Sequence, residues 1–410
     1  MTSSSRDHLR AHLASLSTIA VISVVGALAA FLFQILTARL LGVADFGLLS
    51  AFLAVVSVAA VGSSALQNSV AVQTASARTG LVEPGRFAPR DSLLIGGAAA
   101  VVLAAFSPLL AGALQASVGV VIAAAVCVLL SFVFAEFLGR VQGQGHSRAA
   151  VAWSTTSLVA RVVLIVPAVL LGFGIAGAVG AVVLATVVAA AGAAWSARRA
   201  PSPTTSVFTR DGLTVIVLSI AIAWLTSADV VFLRILAPVD VAGSYAAVAV
   251  LVKASFILPS TLSLYLLPRF ARNRDNAALT RAGVRGAVAA AAVSALLVVV
   301  LFAVAGDPIV RLLYGESYSG AASLMLPVAI AYVPWITLQG LMIPLTAAAS
   351  RAAALVAVCA VLAQTVLFLI VLPSIAAMLV SLAAIGLATL IALAVISRRQ
   401  PSAPPRKESS

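Results

Sequence analysis

The chain has 410 residues, of which 62% are hydrophobic and 9% charged, and its mean hydropathy is +1.17. A soluble domain carries about 25% charged residues and roughly half apolar ones, so this composition excludes a soluble domain and requires a lipid environment. The net charge of +13 does not indicate a nucleic-acid partner, because the basic residues stand in short segments between long apolar runs.

Long apolar runs recur along the whole chain, and each can cross a hydrocarbon core of about 30 Å as a helix. The first run, after a polar stretch containing Arg6 and Arg10, is too long for the apolar region of a signal peptide. We therefore predict an all-α polytopic membrane protein with about twelve transmembrane helices. The predicted spans are residues 15–37, 46–72, 93–113, 119–138, 149–172, 175–196, 212–236, 243–268, 284–305, 322–345, 352–372 and 375–396.

Basic residues fall mostly on one side of the predicted spans. Twenty of the 25 Lys and Arg residues lie in segments assigned to the inside, whereas only Arg39 and Arg311 lie in outer loops. This bias predicts that both termini are cytoplasmic in a bacterial inner membrane. The Pro- and Ser-containing segment halfway along the chain is typical of a linker. The predicted organisation is a six-helix bundle at 1–196, a cytoplasmic linker at 197–211, a second six-helix bundle at 212–397 and a disordered cytoplasmic tail at 398–410.

Similarity between the two halves indicates an internal duplication. Residues 39–47 (RLLGVADFG) align with 234–243 (RILAPVDVAG) if one residue is inserted, and residues 147–150 (SRAA) recur at 350–353. Because each half has an even number of spans, we expect a pseudo-twofold axis along the membrane normal, with a central cavity between the two bundles. This arrangement is typical of transporters that work by alternating access.

Three stretches, 38–47 (ARLLGVADFG), 227–245 (beginning SAD and ending GSY) and 310–318 (VRLLYGESY), carry a family resemblance. Together with the span pattern, they resemble the oligosaccharide or polysaccharide flippases of the multidrug/oligosaccharidyl-lipid/polysaccharide exporter superfamily. The resemblance implies a V-shaped pair of bundles around a cationic cavity, and translocation of a polyprenyl-pyrophosphate-linked oligosaccharide for surface polysaccharide biosynthesis. Relatives that flip peptidoglycan precursors carry additional lipid-binding helices, so a lipid II substrate is less expected.

Charged residues within predicted spans are candidate functional residues, because a charge in lipid costs about 2.5 to 3.5 kcal/mol on insertion scales. Asp229 and Lys253 lie at similar depths in adjacent spans, so we expect them to face each other. They are interpreted either as an ion pair that fixes helix register or as part of a substrate site. Arg161 has no carboxylate at its depth, which favours an anionic ligand or a water-filled lumen, and the duplication places it opposite Gln364.

Further candidates lie near the outer ends of the spans or carry neutral polar groups. Arg39 and Arg234 end spans one and seven, where they are expected to attract phosphate at a cavity mouth or to reach the lipid headgroups. Gln34 and Asn68 are expected to hydrogen-bond either a sugar or a neighbouring helix. The expected partners are a lipid-linked oligosaccharide, membrane lipid and a coupling ion, H+ or Na+, and the oligomeric state is left open.

The sequence contains neither a G-x-x-x-x-G-K-[ST] phosphate-binding loop nor an H-E-x-x-H motif. Its two cysteines, Cys127 and Cys359, both fall in apolar runs, which predicts no disulfide and no metal site. We therefore expect no cofactor and no catalysis. Two alternatives to the flippase stay open: a drug/cation antiporter of the same superfamily, and a membrane glycosyltransferase or ligase of the same pathway.

Overall fold

The computed structural model describes residues 3–78, 90–198, 210–256, 277–347 and 349–399, and these ranges contain helices and no strand. One 3-10 segment covers Glu316–Ala321. The helices are α1 (Ser3–Arg78), α2 (Arg90–Ala105), α3 (Ser107–Leu114), α4 (Val118–Gly143), α5 (Ser147–Leu170), α6 (Gly174–Ala197), α7 (Arg210–Leu225), α8 (Ala228–Leu236), α9 (Val239–Ala254), α10 (Ala277–Tyr314), α11 (Ala322–Ala347), α12 (Arg351–Val371) and α13 (Ile375–Arg399).

Most of these helices can cross a membrane. Within the described ranges, eight helices are long and apolar enough to do so, or ten if each of two bent pairs forms one span. The longest, α1, is interrupted at Gly42 (φ 79°, ψ 173°), a conformation that is almost exclusive to glycine. Its two arms correspond to the first two predicted spans. The prediction of an all-α polytopic membrane protein is therefore confirmed.

Two predicted spans are not straight helices. The span predicted at 93–113 is bent by 62° between α2 and α3, and the span predicted at 212–236 is bent by 46° between α7 and α8. Apolar composition reports whether a segment is long enough to cross the membrane, but it does not report whether the helix is continuous. The break between α7 and α8 positions the site described below.

Residues 306–321, between the spans predicted at 284–305 and 322–345, were expected to form an outer loop, and the expectation of a loop conformation is wrong. After non-helical torsion angles at Ala305, α10 continues to Tyr314, and the 3-10 segment follows. Pro308 lies three residues beyond the irregular position, where a proline is tolerated because the first turn of a helical arm does not need its N–H group. Most of the expected loop is therefore helical.

The chain divides into two compact units, Met1–Gly212 and Leu213–Ser410. Of the predicted linker and tail, residues 199–209 and 400–410 lie outside the described residues. In the first unit, the arms of α1 pack with α4, α5 and α6 around an apolar cluster that includes Phe33, Phe52, Cys127 and Ile165. Cys359, in contrast, is exposed on α12.

Two glycines set the distance between α4 and the second arm of α1. A Cβ atom added at Gly139 would lie 2.5 Å from the carbonyl oxygen of Gln67, and one added at Gly143 would lie 2.6 Å from that of Ala71. Small residues at a four-residue spacing let helix backbones approach closely in a membrane protein. The contact therefore depends on the absence of both side chains.

In the second unit, α11 carries large buried side chains into the core. Tyr332 and Trp335 are fully buried, and the Trp335 indole N–H donates to the carbonyl oxygen of Leu382 in α13 at 3.1 Å. Pro334 lies between these aromatic residues within the helix. The packing of α11 fixes the position of Tyr332 relative to α8 and α9.

Candidate functional site

The break between α7 and α8 is built into a network of polar contacts. At this break, the last carbonyl groups of α7 lack the backbone N–H partners of a regular helix. Inside lipid, such carbonyl groups are costly unless another donor binds them. The side-chain amide of Gln364 donates to the carbonyl oxygen of Leu225 at 3.0 Å, and the Tyr332 hydroxyl lies 3.2 Å from that of Thr226. Both residues come from later helices and stabilise the broken span.

Asp229 lies in the first turn of α8, directly after this break, and is fully buried. The partial positive charge at a helix N-terminus favours a carboxylate there. The Lys253 ammonium lies 2.9 Å from Oδ1. The hydroxyl groups of Tyr245 and Tyr332 lie 2.5 Å and 2.6 Å from Oδ2. We call Asp229, Tyr245, Lys253 and Tyr332 the Asp229 cluster.

The expected contact between Asp229 and Lys253 is thus confirmed, whereas the two tyrosines were missed. A signal for one of them was available, because Tyr245 and Lys253 are eight residues apart and lie near one face of α9. Tyr332 comes from a helix about 80 residues further along the chain, and its approach depends on tertiary packing. Periodicity within a single span does not reveal such a contact.

The members of the Asp229 cluster differ in exposure. Asp229, Tyr245 and Tyr332 are 0% exposed, whereas the Lys253 side chain is 22% exposed. A buried carboxylate is stable when a counter-charge and hydrogen-bond donors satisfy its oxygens. The tyrosines and the lysine supply both, so the cluster holds a charge pair in the apolar core with its ammonium as the most accessible group.

Arg161 lies in α5 of the first unit and has no such arrangement. It is half-buried, its Nε atom is buried, and that atom has no hydrogen-bond partner within the described chain. Among the described residues, no carboxylate oxygen lies within 4.0 Å of its guanidinium group. The structure thus places an arginine without a counter-charge from the described part of the chain inside a membrane-spanning helix.

Arg39 and Arg234 do not share an environment despite their sequence correspondence. Arg39 is exposed on α1, near the interruption at Gly42, whereas Arg234 is 4% exposed in the last turn of α8. Each interacts with other groups of the chain. Alignment of the two halves predicted equal placement, but burial depends on the helices that pack against each residue.

The neutral candidates are also separate in the structure. Gln34 is half-buried, and its Oε1 atom is buried without a donor within the described residues. Asn68 is exposed, while the adjacent Gln67 donates to Gln142 at 3.1 Å. No described hydrogen bond joins Gln34 or Asn68 to the other candidates.

Helices α5 and α12 bury corresponding positions. The offset of 203 residues that relates 147–150 to 350–353 also relates Arg161 to Gln364. Gln364 is 1% exposed and caps α7. In the second unit, the residue that corresponds to Arg161 therefore donates a hydrogen bond to the Leu225 carbonyl group. The three buried positions of α5 and their buried counterparts in α12 are Ala150 and Ala353, Ser157 and Ala360, and Ile165 and Phe368.

Comparison with known proteins gives one family and one fold. The family model for polysaccharide biosynthesis protein matches residues 13–274, which is more than half of the chain. No curated protein sequence matches the chain.

Three solved structures illustrate the fold. A eukaryotic MATE transporter matches with a TM-score of 0.67, 13% identity and coverage of 95% of this chain and 96% of that one. The lipid II flippase MurJ in an inward closed conformation matches with a TM-score of 0.64 and 12% identity, over 93% of this chain and 88% of that one. An inward-facing multidrug resistance MATE family transporter of the MOP superfamily matches with a TM-score of 0.63 and 15% identity, over 91% of this chain and 94% of that one. At these identities the likeness establishes the fold, and the superfamily resemblance drawn from the motifs is confirmed.

Proposed function

Because this chain belongs to the polysaccharide biosynthesis protein family, we propose that it translocates a polyprenyl-pyrophosphate-linked oligosaccharide across the bacterial inner membrane by alternating access. It is a multi-pass membrane transporter or flippase of the MOP superfamily. The proposed substrate supplies surface polysaccharide biosynthesis. Both termini are placed in the cytoplasm in this proposal, following the distribution of basic residues.

The observation that carries the proposal is the environment of Arg161. The buried Nε atom of a guanidinium group inside a membrane-spanning helix is costly without a hydrogen-bond partner or a carboxylate nearby, and an anionic ligand would offset that cost. A pyrophosphate group suits it, because the planar guanidinium group donates two parallel hydrogen bonds to phosphate oxygens. Arg161 is therefore assigned to the pyrophosphate of the lipid carrier or to an acidic sugar.

The remaining candidates have secondary roles in this proposal. Lys253 already pairs with Asp229, so it offers an anion a shared positive charge. Arg39 and Arg234 attract phosphate near the outer ends of their helices, and Gln34 and Asn68 hydrogen-bond sugar hydroxyl groups. The matched burial of α5 and α12 supports the proposed duplication.

The alternative is a drug/cation antiporter of the same superfamily, because two of the structures reported above are MATE transporters, one of them a multidrug resistance transporter. A cation site needs an available acidic group. The two buried acidic residues of the described ranges, Asp229 and Glu136, are already neutralised by Lys253 and Arg140. The charge balance of the described residues therefore favours the anionic substrate. A glycosyltransferase or ligase is less favoured, because the family and the structural neighbours are transporters and flippases.

Purified protein in liposomes tests this function directly. The liposomes carry a radiolabelled polyprenyl-pyrophosphate-linked oligosaccharide, and a membrane-impermeant glycosidase is added outside. We expect the protein to raise the cleaved fraction above the half exposed in protein-free liposomes. Cleavage limited to that half, together with uptake of a cationic dye, would instead indicate the drug/cation antiporter.

The role of Arg161 is tested in cells that depend on this protein for surface polysaccharide. We expect Arg161→Ala to reduce export by roughly 10- to 100-fold, the equivalent of one charge-assisted hydrogen bond of about 1.5 to 3 kcal/mol. Arg161→Lys should retain part of the activity, because it keeps the charge but loses the planar donor geometry. Export is measured as surface polysaccharide per unit of protein in the membrane.

Arg351→Ala is the matched control, because Arg351 is exposed at the start of α12, the counterpart of α5. It should export at the wild-type level. If Arg161→Ala matched this control, the assignment of the anion to Arg161 would be wrong, while the liposome assay would still decide the function itself.

A further inference from the structure

A groove runs between α5 and α6 on the surface of the first unit. Its volume is about 470 Å³, and its walls include Val159 and Val163 of α5 and Leu184 and Val188 of α6. All four side chains are exposed. An exposed apolar surface of this kind marks a contact with lipid or with another protein.

The two polar side chains in the groove wall are already satisfied. The Thr155 hydroxyl donates to the carbonyl oxygen of Ile22 at 3.0 Å, and the Thr156 hydroxyl donates to that of Ala152 at 2.9 Å. Both donors are thus turned to the backbone, and the groove presents hydrocarbon groups. Its chemistry fits an alkyl chain rather than a sugar or a phosphate.

The groove is separate from the anion site assigned to Arg161. Val159 and Val163 stand two residues before and after Arg161, which places them on the opposite face of an α-helix. The Arg161 Nε atom is buried, whereas both valines are exposed. A lipid in the groove is therefore not held by the group that binds the transported anion in the proposed function.

The exposed face of α6 continues from the groove to an aromatic and cationic pair at the end of the helix. Trp195 is 67% exposed, and the Arg198 guanidinium carbon lies 3.7 Å from the centroid of a Trp195 ring. Stacking uses the flat face of the guanidinium group and leaves its N–H edge available to a phosphate. Within the described ranges, no ion pair occupies that edge. Tryptophan at the end of a span lies at the level of the lipid headgroups.

We propose that the groove and the Trp195–Arg198 pair form a binding site for one anionic phospholipid of the cytoplasmic leaflet, such as phosphatidylglycerol. Its phosphate binds Arg198, and one acyl chain lies in the groove. Along α6, Val188 and Leu184 are about 15 Å and 21 Å from Arg198 at 1.5 Å per residue. One leaflet comprises about 15 Å of hydrocarbon and roughly 6 Å of headgroup region, so a lipid bound at Arg198 extends to the groove.

Thermal unfolding of detergent-purified protein, titrated with lipid, tests this site. We expect saturating phosphatidylglycerol to raise the unfolding temperature at least about 2 °C above the value in phosphatidylcholine, because a ligand that binds the folded state stabilises it. Arg198→Gln should raise the half-maximal concentration of phosphatidylglycerol at least about 10-fold, since a charge-assisted hydrogen bond is lost. Val188→Trp should raise it about 3-fold or more by filling the groove.

Arg398→Gln is the matched control. Arg398 is exposed near the end of α13, the helix that corresponds to α6 in the predicted duplication, and Val395 stands three residues before it instead of a tryptophan. This variant removes the same charge and should respond to phosphatidylglycerol as the wild type does. All three substituted residues are exposed, so each variant should unfold at the wild-type temperature without added lipid.

Three results would overturn the proposal. Equal stabilisation by phosphatidylglycerol and phosphatidylcholine would show that no headgroup is recognised, and equal losses in Arg198→Gln and Arg398→Gln would show only a general attraction to basic residues. Stronger stabilisation by polyprenyl phosphate, lost in Arg198→Gln, would assign the groove to the substrate carrier. An unchanged lipid response in Val188→Trp, together with loss of self-association, would assign it to a second copy of the chain. No transport is measured, so these outcomes are independent of the liposome assay.

Discussion

Asp229 shows how a single acidic residue is accommodated in the apolar interior of a membrane-spanning unit. Its two oxygens receive an ammonium and two hydroxyl groups, and the N-terminus of α8 adds a favourable partial charge. Each donor therefore stabilises a charge rather than a neutral dipole. Hydrogen bonds to charged groups contribute about 1.5 to 3 kcal/mol, against roughly 1 kcal/mol for neutral pairs.

This difference predicts the effect of removing each tyrosine hydroxyl. Tyr245→Phe and Tyr332→Phe should each lower the free energy of unfolding by about 2 kcal/mol, since Asp229 loses one donor and stays buried. Tyr314→Phe is the matched control, because the buried Tyr314 hydroxyl donates to the neutral carbonyl group of Ala247 at 3.1 Å. Thermal unfolding in detergent should therefore rank the control as the mildest of the three variants. If it proved as destabilising as the other two, the charge on Asp229 would not be the source of the stability.

At the scale of the element, a helix break positions the Asp229 side chain, and glycine contacts set the distance between α4 and α1. The 46° bend between α7 and α8 puts Asp229 at a helix N-terminus, and a continuous helix would have removed both the bend and the free carbonyl groups that Gln364 and Tyr332 contact. Composition alone treats residues 212–236 as one apolar run. The break depends on partners supplied by α11 and α12.

The contact between α4 and α1 gives an element-scale prediction. Gly139→Ala and Gly143→Ala should each lower the unfolding temperature, because the added methyl group meets backbone oxygen within 2.6 Å and the helices must separate, at a cost of about 1 to 3 kcal/mol. Gly180→Ala in α6 is the control, since a Cβ atom there meets nothing within 4 Å. It should be neutral or stabilising by up to about 1 kcal/mol through helix propensity. Equal unfolding temperatures for all three variants would contradict the proposed close packing.

At the scale of the whole molecule, the distribution of charge predicts orientation. Basic residues cluster in segments assigned to the cytoplasm, which favours one insertion topology over its inverse. Each of the two compact units also contains fully buried large side chains, such as Phe33 and Ile165 in the first and Tyr245 and Trp335 in the second.

Truncated fusions test this orientation. Alkaline phosphatase, which is active only outside the cytoplasm, should be active when fused after Gly315 and inactive when fused after Gly145, because α10 and α4 end on opposite sides in the predicted topology. A fluorescent protein at the C-terminus should fluoresce, since that end is placed inside. Phosphatase activity after Gly145 would show that the chain inserts the other way round.

The sequence alone determined the class of this protein. Apolar runs, each long enough to cross lipid, leave the backbone no alternative to helices, because every N–H and C=O group must be satisfied within the span. The position of Arg161, Asp229 and Lys253 within apolar runs identified them as charged residues that need a partner inside lipid. The short motifs indicated the superfamily resemblance. These conclusions depend on composition and spacing, which are properties of neighbouring residues.

Tertiary structure decided which charges are paired and which helices are broken. Tyr332 reaches Asp229 from about 100 residues away, Gln364 caps α7 from still further, and Arg234 is buried where its counterpart Arg39 is exposed. Each outcome depends on which helices pack together. The interactions are between distant segments, and periodicity within one segment carries no information about its neighbours in space.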